Sequence, residues 1–279
     1  MSDPIDRIGQ WSVDKLEILS SYLEGYATVL RKQSSLKPIY IDAFSSSGIH
    51  VHRDTGEVVE GSPFRALKHD DVFHHFHFID LDEGKVELLK TGAGGRPDVS
   101  IHHGDCNEVV VKEVLPRYPY EQFYRVLAFV DPYGMHISWE LIAALGRMKG
   151  AEMFLHFPIA DINRNALHRR GVNPDQSQQA RLTRLWGDES WKSSLYQTYS
   201  QTNLFGEDDL VSQKAGNRRV VDAFRQHLKE VAGFSEVPEA APVAGPSGNV
   251  IYYLIFAGHN GTGAKIASHI LKRYSMLRR

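Results

Sequence analysis

The chain has 279 residues, of which 42% are hydrophobic and 24% charged, a composition that can bury a sizeable core and is atypical of disordered proteins. Its 32 lysines and arginines against 34 acidic residues give a net charge of −2, which excludes a chain-wide positive field for nucleic acid or anionic membranes. A polyanion would have to bind a local patch. At this length, one α/β domain with an insertion and two separate domains are both open.

The cysteine content and the polar N-terminus predict a cytoplasmic protein. Cys106 is the one cysteine, so it cannot form an internal disulfide or a cysteine-rich metal site. The sequence begins with a polar, acidic stretch, and no apolar run approaches the ~18 residues that a membrane span requires. A reducing compartment is therefore the simplest expectation.

The first elements predicted along the chain are a helix and a buried strand. Apolar residues recur at spacings of three and four over residues 12–33, which predicts an amphipathic helix. The apolar run at residues 39–44 predicts a strand that leads into a serine-rich turn. In the polar stretch that follows, Asp54-Thr55-Gly56 is typical of a hairpin turn.

Strands and helices alternate over the next part of the chain. The predicted strands are residues 73–80, 99–103, 125–130 and 152–157. The predicted helices between them are residues 83–90, 108–115 and 139–148. This alternation is typical of right-handed βαβ units, so we expect a Rossmann-like α/β fold with a mainly parallel sheet.

The strand pattern stops after the fifth strand and resumes near the C-terminus. The intervening segment is predicted to contain helices at residues 176–186 and 214–231 and a Pro/Gly/Ala-rich loop at residues 239–248. A strand at residues 250–257 and a helix at residues 262–274 follow. We therefore predict an α/β core of residues 1–158 and 246–279, and a helical insertion and loop of residues 159–245.

Acidic residues stand at the ends of four successive predicted strands, Asp42, Asp80, Asp105 and Asp131. In an open parallel sheet, ligands bind at the carboxyl ends of the strands. An acid after the second strand is suited to a two-pronged hydrogen bond with a ribose diol, and Asp80 has that position.

The turns after the first and third strands carry weaker signals. Ser45-Ser46-Ser47-Gly48 has one glycine where dinucleotide-binding loops have three, which argues against a nicotinamide or flavin site but permits a smaller adenosine-bearing cofactor. An ordinary strand-to-helix turn is the alternative. In Gly104-Asp105-Cys106-Asn107, a carboxylate and the backbone could meet an adenine amino edge, or Asp105 or Asn107 could cap a helix. Cys106 is expected to pack.

Asp131-Pro132-Tyr133-Gly134, after the fourth strand, is the most specific local pattern. A carboxylate and a proline carbonyl can accept the N–H groups of a planar amine while the tyrosine ring stacks on it. A turn with a buried ring is the alternative interpretation.

These motifs resemble the three-Cys-motif partner protein family (TcmP), which has the class I S-adenosylmethionine-dependent methyltransferase fold. The resemblance covers most of the chain and is carried by Tyr40-Ile41-Asp42-Ala43-Phe44, Ser45-Ser46-Ser47-Gly48, Glu60-Gly61-Ser62-Pro63, Phe78-Ile79-Asp80, Gly104-Asp105-Cys106-Asn107, Phe129-Val130-Asp131-Pro132-Tyr133-Gly134 and Tyr252-Tyr253-Leu254-Ile255-Phe256. It implies S-adenosylmethionine as cofactor. Because the family name refers to three cysteines in a neighbouring protein, it also implies a cysteine-rich partner.

The resemblance also implies roles for individual residues. The methionine part of the cofactor would lie among Asp42, Phe44, Ser45 and Gly48, with the ribose at Asp80 and the adenine at Asp105 and Cys106. Asp131, Pro132 and Tyr133 would face the acceptor, with Asp131 orienting it or taking its proton. Because methyltransferase loops usually carry two or more glycines at this point, the serines of residues 45–47 are a departure from the pattern.

The fourteen histidines suggest a metal site, but their pattern does not support one. His75 and His77 fall on one face of a predicted strand, next to His74, and His102-His103 end another. No His-Glu-x-x-His string or other metal-binding spacing occurs, so hydrogen-bonded or solvated histidines are expected.

The predicted insertion is rich in cations and aromatic residues. Arginines that bind phosphates beside aromatics that stack on bases would form a nucleic-acid surface over residues 164–219. The alternative is a solvated helical cap whose aromatics form a small core. The residues concerned are Arg164, Arg169, Arg170, Arg181, Arg184, Lys192, Arg218 and Arg219, with Trp186, Trp191, Tyr196 and Tyr199.

Three functions follow from these patterns. The first is an S-adenosylmethionine-dependent methyltransferase acting on a nucleic acid or on a partner-bound substrate. The second is a non-catalytic subunit that keeps the fold and docks a cysteine-rich partner, in line with the glycine-poor loop. The third, metal-dependent cleavage of nucleic acid, requires a divalent metal on at least two of the four strand-end acids.

Overall fold

A computed structural model describes residues 4–166, 175–202, 208–245 and 247–276. The strands are β1 (Asp6–Ile8), β2 (Lys37–Asp42), β3 (Ile49–His52), β4 (Val58–Glu60), β5 (His75–Asp80), β6 (Val99–His103), β7 (Tyr124–Val130), β8 (Ala151–Phe157), β9 (Tyr196–Thr202), β10 (Asp208–Lys214), β11 (Ala241–Ala244) and β12 (Val250–Ala257). The helices are α1 (Gln10–Leu30), α2 (Ser62–Leu67), α3 (Glu83–Ala93), α4 (Cys106–Val109), α5 (Trp139–Arg147), α6 (Ile159–Ala166), α7 (Gln176–Trp186), α8 (Trp191–Leu195), α9 (Asn217–Glu230) and α10 (Gly261–Met276). A π-helical turn, Val110–Val114, extends α4.

Seven of the described strands form one sheet in the order β11-β12-β8-β7-β2-β5-β6. The pairs β2 with β5, β2 with β7, β5 with β6 and β7 with β8 are parallel, and β12 is antiparallel to both of its neighbours. The predicted Rossmann-like α/β fold with a mainly parallel sheet is therefore confirmed.

Helices cover both faces of this sheet. Strand β2 shows why, because Ile39 and Ile41 belong to the apolar core on one face while Tyr40 belongs to the core on the other. Helices α5, α7 and α9 pack on the first face, and α1 and α10 pack on the second. No described helix is long and apolar enough to cross a bilayer. The cytoplasmic location stays a prediction.

The segment predicted as a helical insertion and loop also contains strands. β9 and β10 pair antiparallel within it, and β11 lies inside the predicted loop. β9 and β10 are largely polar, so they lack the apolar alternation that predicts a strand. β11 is an edge strand, a position where a proline such as Pro242 is tolerated. In the sequence, this proline is typical of a loop and therefore obscured the strand. Pro246, the predicted start of the returning core, lies outside the described residues.

A small second sheet has the order β1-β3-β4. The predicted hairpin is confirmed, because β3 and β4 are antiparallel and Gly56 turns between them with φ of 74°. The N-terminal strand β1 was not predicted and pairs in parallel with β3. With three residues of mixed polarity, β1 has no local pattern that indicates a strand.

Candidate functional site

One cavity lies at the point in the large sheet where successive strands change from being added on one side of β2 to being added on the other. From the central β2 the chain adds β5 and β6 on one side, then crosses over to add β7 on the other. The loops after β2 and β7 diverge at this point and leave a crevice, as in other open α/β sheets. The crevice holds a cavity of about 290 Å³, lined by Asp6, Arg7, Ile8, Trp11, Ser12, Lys15, Leu16, Phe44, Ser45, Ser46, His50, Arg53, Ser62, Asp131, Pro132, Tyr133 and Tyr252.

Asp131 binds two basic side chains at the cavity wall. Lys15 Nζ lies 2.6 Å from Asp131 Oδ2, and His156 Nδ1 lies 2.5 Å from Asp131 Oδ1. Burial by itself raises the pKa of the Asp131 carboxyl, but His156 and the Lys15 ammonium outweigh it and hold this pKa well below its usual range. Asp131 is therefore a fixed anion at neutral pH.

Helix α1 carries Lys15 into the cavity beneath two aromatic rings. The Nζ atom lies 5.1 Å from the ring centre of Trp11 and 4.9 Å from that of Tyr252, and the two rings stack. The Lys15 side chain is only 7% exposed. The ammonium thus occupies a cation site made of one carboxylate and two aromatic faces.

At the end of β2, Phe44 and Ser45 reach the cavity, whereas Asp42 is not among the residues that line it. Phe44 and Ser45 line the cavity, and Asp42 is fully buried beside Ser62. Burial raises the pKa of the Asp42 carboxyl to about 7, although the Ser62 hydroxyl and the Phe44 N–H favour its ionised form. Asp42 Oδ2 has no hydrogen-bond partner among the described residues.

Asp80 binds the backbone of the loop after β2. Its Oδ2 accepts the N–H of Ser46 at 2.7 Å, and its Oδ1 accepts the N–H of Asp82 at 2.9 Å. Ser46 has φ of 54°, a left-handed conformation that is uncommon for a residue with a side chain. Both carboxylate oxygens keep lone pairs free. Binding of a ribose by Asp80 stays a prediction.

Gly48 supports the loop by close packing. Its φ is 79°, and a Cβ atom there would lie 2.7 Å from the Phe64 ring and 2.8 Å from Leu89. Gly48 is not among the cavity residues. Contact between Gly48 and the cofactor stays a prediction. Its packing against Phe64 and Leu89 is sufficient to require a glycine.

The Asp6 carboxylate links the two loops that flank the cavity. It accepts hydrogen bonds from the Ser46 hydroxyl at 2.8 Å, from Lys85 Nζ at 2.7 Å and from the Tyr133 hydroxyl at 3.1 Å. The pKa of the Asp6 carboxyl is below its usual range, because these bonds outweigh its partial burial. The N-terminal segment therefore closes one side of the cavity.

Asp105 and Cys106 lie away from this cavity. Asp105 caps α4 by accepting the N–H of Asn107 at 2.9 Å, and it lies 3.5 Å from Arg184. It borders a separate open cleft of about 810 Å³. Cys106 packs in the core, where burial raises the pKa of its thiol to about 12. The structure does not bring these residues to the cavity, and the adenine contact stays a prediction.

The strand histidines bind one another and neighbouring side chains. His77 Nδ1 lies 3.0 Å from His102 Nε2, and His77 Nε2 lies 2.7 Å from the Tyr118 hydroxyl. His75 and His77 lie on one face, as predicted, with ring centres 4.8 Å apart. Over the part of the chain that the structure describes, no group of three or more His, Cys, Asp or Glu side chains could hold a metal ion.

The insertion buries its tryptophans and pairs most of its described cations. Trp186 and Trp191 are each 1% exposed and belong to the main core. Ion pairs join Arg164 and Arg181 to Asp161, Arg184 to Asp105, Lys192 to Glu189, and Arg218 to Asp222 and Glu239. Arg219 is exposed, Tyr196 packs against the core, and Arg169, Arg170 and the Tyr199 side chain lie outside the described residues.

Sequence reasoning missed Asp6, Lys15, His156 and Tyr252 as cavity or wall residues. Tyr252 was noted only as part of the family resemblance. Lys15 falls on the buried face of α1, four residues before Leu19 and seven before Tyr22, so the helical periodicity contained a signal for it. His156 also carries a usable signal, because it is a polar residue within the apolar strand β8, and buried polar groups require partners.

Comparisons with known proteins return structures only. No protein-family model and no curated protein matches the sequence. A Legionella pneumophila protein is 11% identical, over 93% of this chain and 92% of its own, with a TM-score of 0.47. The methyltransferase domain of bacterial CtHen1-CN is 11% identical, over 86% of this chain and 99% of its own, with a TM-score of 0.42. The N-methyltransferase NodS from Bradyrhizobium japonicum, in complex with S-adenosyl-L-homocysteine, is 9% identical, over 89% of this chain and 86% of its own, with a TM-score of 0.43.

The strand order assigns the fold. Numbering the strands of the large sheet along the chain turns their order into 3-2-1-4-5-7-6, with the seventh strand antiparallel. Its first five positions follow the doubly wound order of Rossmann-like sheets, and the sheet is mainly parallel as predicted for the class I methyltransferase type. The chain has a class I methyltransferase-like fold.

Proposed function

We propose that this protein is an S-adenosylmethionine-dependent methyltransferase whose acceptor binds beside Asp131, Pro132 and Tyr133. One observation carries the proposal: Asp131-Pro132-Tyr133 faces Phe44-Ser45 across an aromatic cavity at the switch point of a class I sheet. This arrangement can bring a sulfonium donor and a nucleophile together from opposite walls. Reactant alignment accounts for much of catalysis in such displacements.

The residues on the β2 side fit the methionine part of the cofactor. The unpartnered Oδ2 of buried Asp42 supplies an acceptor, and Phe44 with Ser45 supplies an apolar wall and a hydroxyl. Asp80 would accept the ribose hydroxyls with its remaining lone pairs. The cofactor would supply an electrophilic methyl group on a cationic sulfur.

Asp131 is suited to orient the acceptor rather than to deprotonate it. A carboxylate whose pKa is held so low by Lys15 and His156 is a weak base at neutral pH. It remains a strong hydrogen-bond acceptor for an amine N–H group. Tyr133, 63% exposed at the cavity mouth, would stack on a planar acceptor.

Within this proposal, we assign the protein to the three-Cys-motif partner protein family, and its substrate would be a nucleic acid or a molecule bound by a partner protein. The sequence motifs at both cavity walls support it. A non-catalytic subunit that docks a cysteine-rich partner is the alternative. The Asp6 contacts across the loops favour that alternative, because they narrow the way into the cavity.

Titration calorimetry with S-adenosylmethionine and S-adenosylhomocysteine tests the proposal. We expect a micromolar Kd, about −8 kcal/mol, for the wild-type protein. Asp80→Asn should weaken binding about tenfold by removing a charged acceptor. Asp131→Asn should bind the cofactor normally but lose turnover, measured as transfer of a labelled methyl group to DNA, RNA or protein.

Asp70→Asn is the matched control, since its carboxylate pairs with Arg96 away from the cavity. It should behave as the wild type in both assays. If neither ligand gives heat or a thermal shift with the wild-type protein, the methyltransferase assignment is refuted and the accessory role is preferred.

A further inference from the structure

Two exposed arginines at the cavity mouth have no acidic partner. Among the described residues, neither Arg7 nor Arg53 makes an ion pair or a side-chain hydrogen bond, although both line the cavity. Elsewhere in the described part of the chain, Arg31, Arg96, Arg164, Arg181, Arg184, Arg218 and Arg225 pair with carboxylates, and exposed arginines without such a pair, such as Arg147 and Arg219, do not line this cavity. Two unpaired guanidinium groups at one cavity suggest an anionic ligand.

The other charged side chains that line the cavity are paired or neutral. Asp131 is paired with Lys15, and Asp6 with Lys85. His50, which also lines the cavity, has its pKa lowered by burial and is neutral at pH 7. With Lys85 included, the side chains that line the cavity carry formal charges that sum to about +2, and the Asp80 carboxylate, bound to the Ser46 N–H, lowers the local charge to about +1.

The backbone holds the two arginines on neighbouring strands. β1 pairs in parallel with β3, with Arg7 beside Val51, and the Arg53 N–H donates to the Ile8 carbonyl at 2.7 Å. This pairing brings the backbones of Arg7, in β1, and Arg53, directly after β3, next to each other at the rim. Planar guanidinium forks bind phosphate through two parallel hydrogen bonds.

The interior behind the arginines is rich in aromatic side chains. Trp11, Phe44, Tyr133 and Tyr252 line it, and Asp131 offers an acceptor at its wall. A volume of about 290 Å³ is at the lower end for ligand sites, so the cavity holds a base-sized group rather than a folded polymer.

We propose that the cavity takes one unpaired base of a nucleic-acid single strand, with Arg7 and Arg53 binding the adjacent phosphates. The inference rests on the proposed function and names its substrate class. It places the nucleic-acid contact at the cavity mouth, whereas the sequence pattern suggested the insertion. A single strand is the simplest source, because a base in a duplex would first have to be unpaired and unstacked.

Fluorescence anisotropy of a labelled short single strand, as DNA and as RNA, tests this proposal. Arg7→Gln and Arg53→Gln should each weaken binding by the full-length protein about tenfold. Each should also reduce the slope of log K against log salt concentration by about 0.7, the value for one phosphate contact on a single strand.

Arg147→Gln is the matched control, because Arg147 is exposed at the end of α5 and lines a different cleft. It should bind as the wild type does. Unlabelled AMP distinguishes a polynucleotide from a free nucleotide. If AMP competes only weakly, the ligand is a polynucleotide, as proposed. If AMP displaces the labelled probe at the same concentration as the unlabelled polynucleotide does, the proposal of a polynucleotide ligand is overturned.

The proposal is overturned if the wild-type protein does not bind at low salt, or if both arginine variants match Arg147→Gln. Cofactor titration on the same samples separates the two proposals. Retained S-adenosylmethionine binding without strand binding refutes the substrate class alone. Strand binding that depends on both arginines, without cofactor binding, supports the strand site and refutes the methyltransferase.

Discussion

Lys15 is the residue on which the electrostatics of the cavity depend. Its ammonium is nearly buried and contacts the Asp131 carboxylate and two aromatic rings. A buried charge that loses its partner keeps its desolvation cost, so removing one member of such a pair costs more than the pair contributes. The cavity wall is therefore sensitive to this single side chain.

Lys15→Met should lower the free energy of unfolding by about 2–3 kcal/mol, because it leaves Asp131 with His156 as its remaining basic partner. Urea unfolding measures the effect. Adding Asp131→Asn to Lys15→Met should recover part of the loss, since no uncompensated carboxylate remains.

Lys90→Met provides the matched comparison, because Lys90 pairs with Glu87 on an exposed helix surface. There we expect a loss of about 0.5 kcal/mol. Equal losses in Lys15→Met and Lys90→Met would contradict the account of the buried pair.

At the scale of elements, the position of strand β1 depends on the contacts of one of its side chains, Asp6. Its three residues pair with β3, and Asp6 connects it to Ser46, Lys85 and Tyr133. A strand this short has little independent stability. Its position over the cavity is thus controlled by Asp6.

Asp6→Asn should loosen β1 and the loop after β2 without unfolding the protein. Replacing the carboxylate removes the ion pair with Lys85, so amide hydrogen exchange should rise in residues 4–8 and 45–53. Mass spectrometry after hydrogen exchange measures this change. Asp71→Asn, which removes the exposed pair with Arg31, should leave both segments unchanged. Uniformly faster exchange along the chain would refute a local role for Asp6.

At the scale of the whole molecule, a buried carboxyl joins the sheet to the helices on one face. Glu152 on β8 accepts a hydrogen bond from the Tyr22 hydroxyl of α1 at 2.6 Å. Gly263 of α10 approaches so closely that a Cβ atom there would clash with Glu152 Oε1. Burial raises the pKa of the Glu152 carboxyl to about 7.

This pKa predicts a loss of stability as the pH rises. The folded protein binds the Glu152 proton more tightly than the unfolded chain does. The stabilisation that this proton gives is therefore complete at acidic pH and disappears as the pH rises through about 7. Relative to Glu152→Gln, the wild-type protein should lose about 2–3 kcal/mol between about pH 5 and pH 8. Chemical unfolding at several pH values measures the difference.

Glu87→Gln, a change at an exposed carboxylate, should show no such trend. A constant stability difference between the wild-type protein and Glu152→Gln across this pH range would be inconsistent with a raised pKa. His77 has the opposite pH dependence. Burial lowers the pKa of its imidazole to about 3, so the unfolded chain binds this proton more tightly and the stability of the fold decreases as the pH falls below about 6.5.

Most strands of the large sheet were predictable, and the strands within the segment 159–245 were not. Strands β6 and β12 and helix α7 have the predicted bounds, because apolar runs and helical periodicity are local properties of the chain. Strands β9, β10 and β11 escaped prediction, because their pairing is supplied by a neighbouring strand rather than by their own composition.

The sequence by itself determined the α/β class and the acids at the strand ends, since strand direction and length place Asp42, Asp80 and Asp131 at one edge of the sheet. Only the tertiary structure decided which groups surround them. Lys15 reaches Asp131 across 116 residues, because α1 docks on the sheet face through its apolar residues and carries the lysine with it. Asp105, also at a strand end, lies on a different cleft, because α4 begins there and uses its carboxylate as a cap.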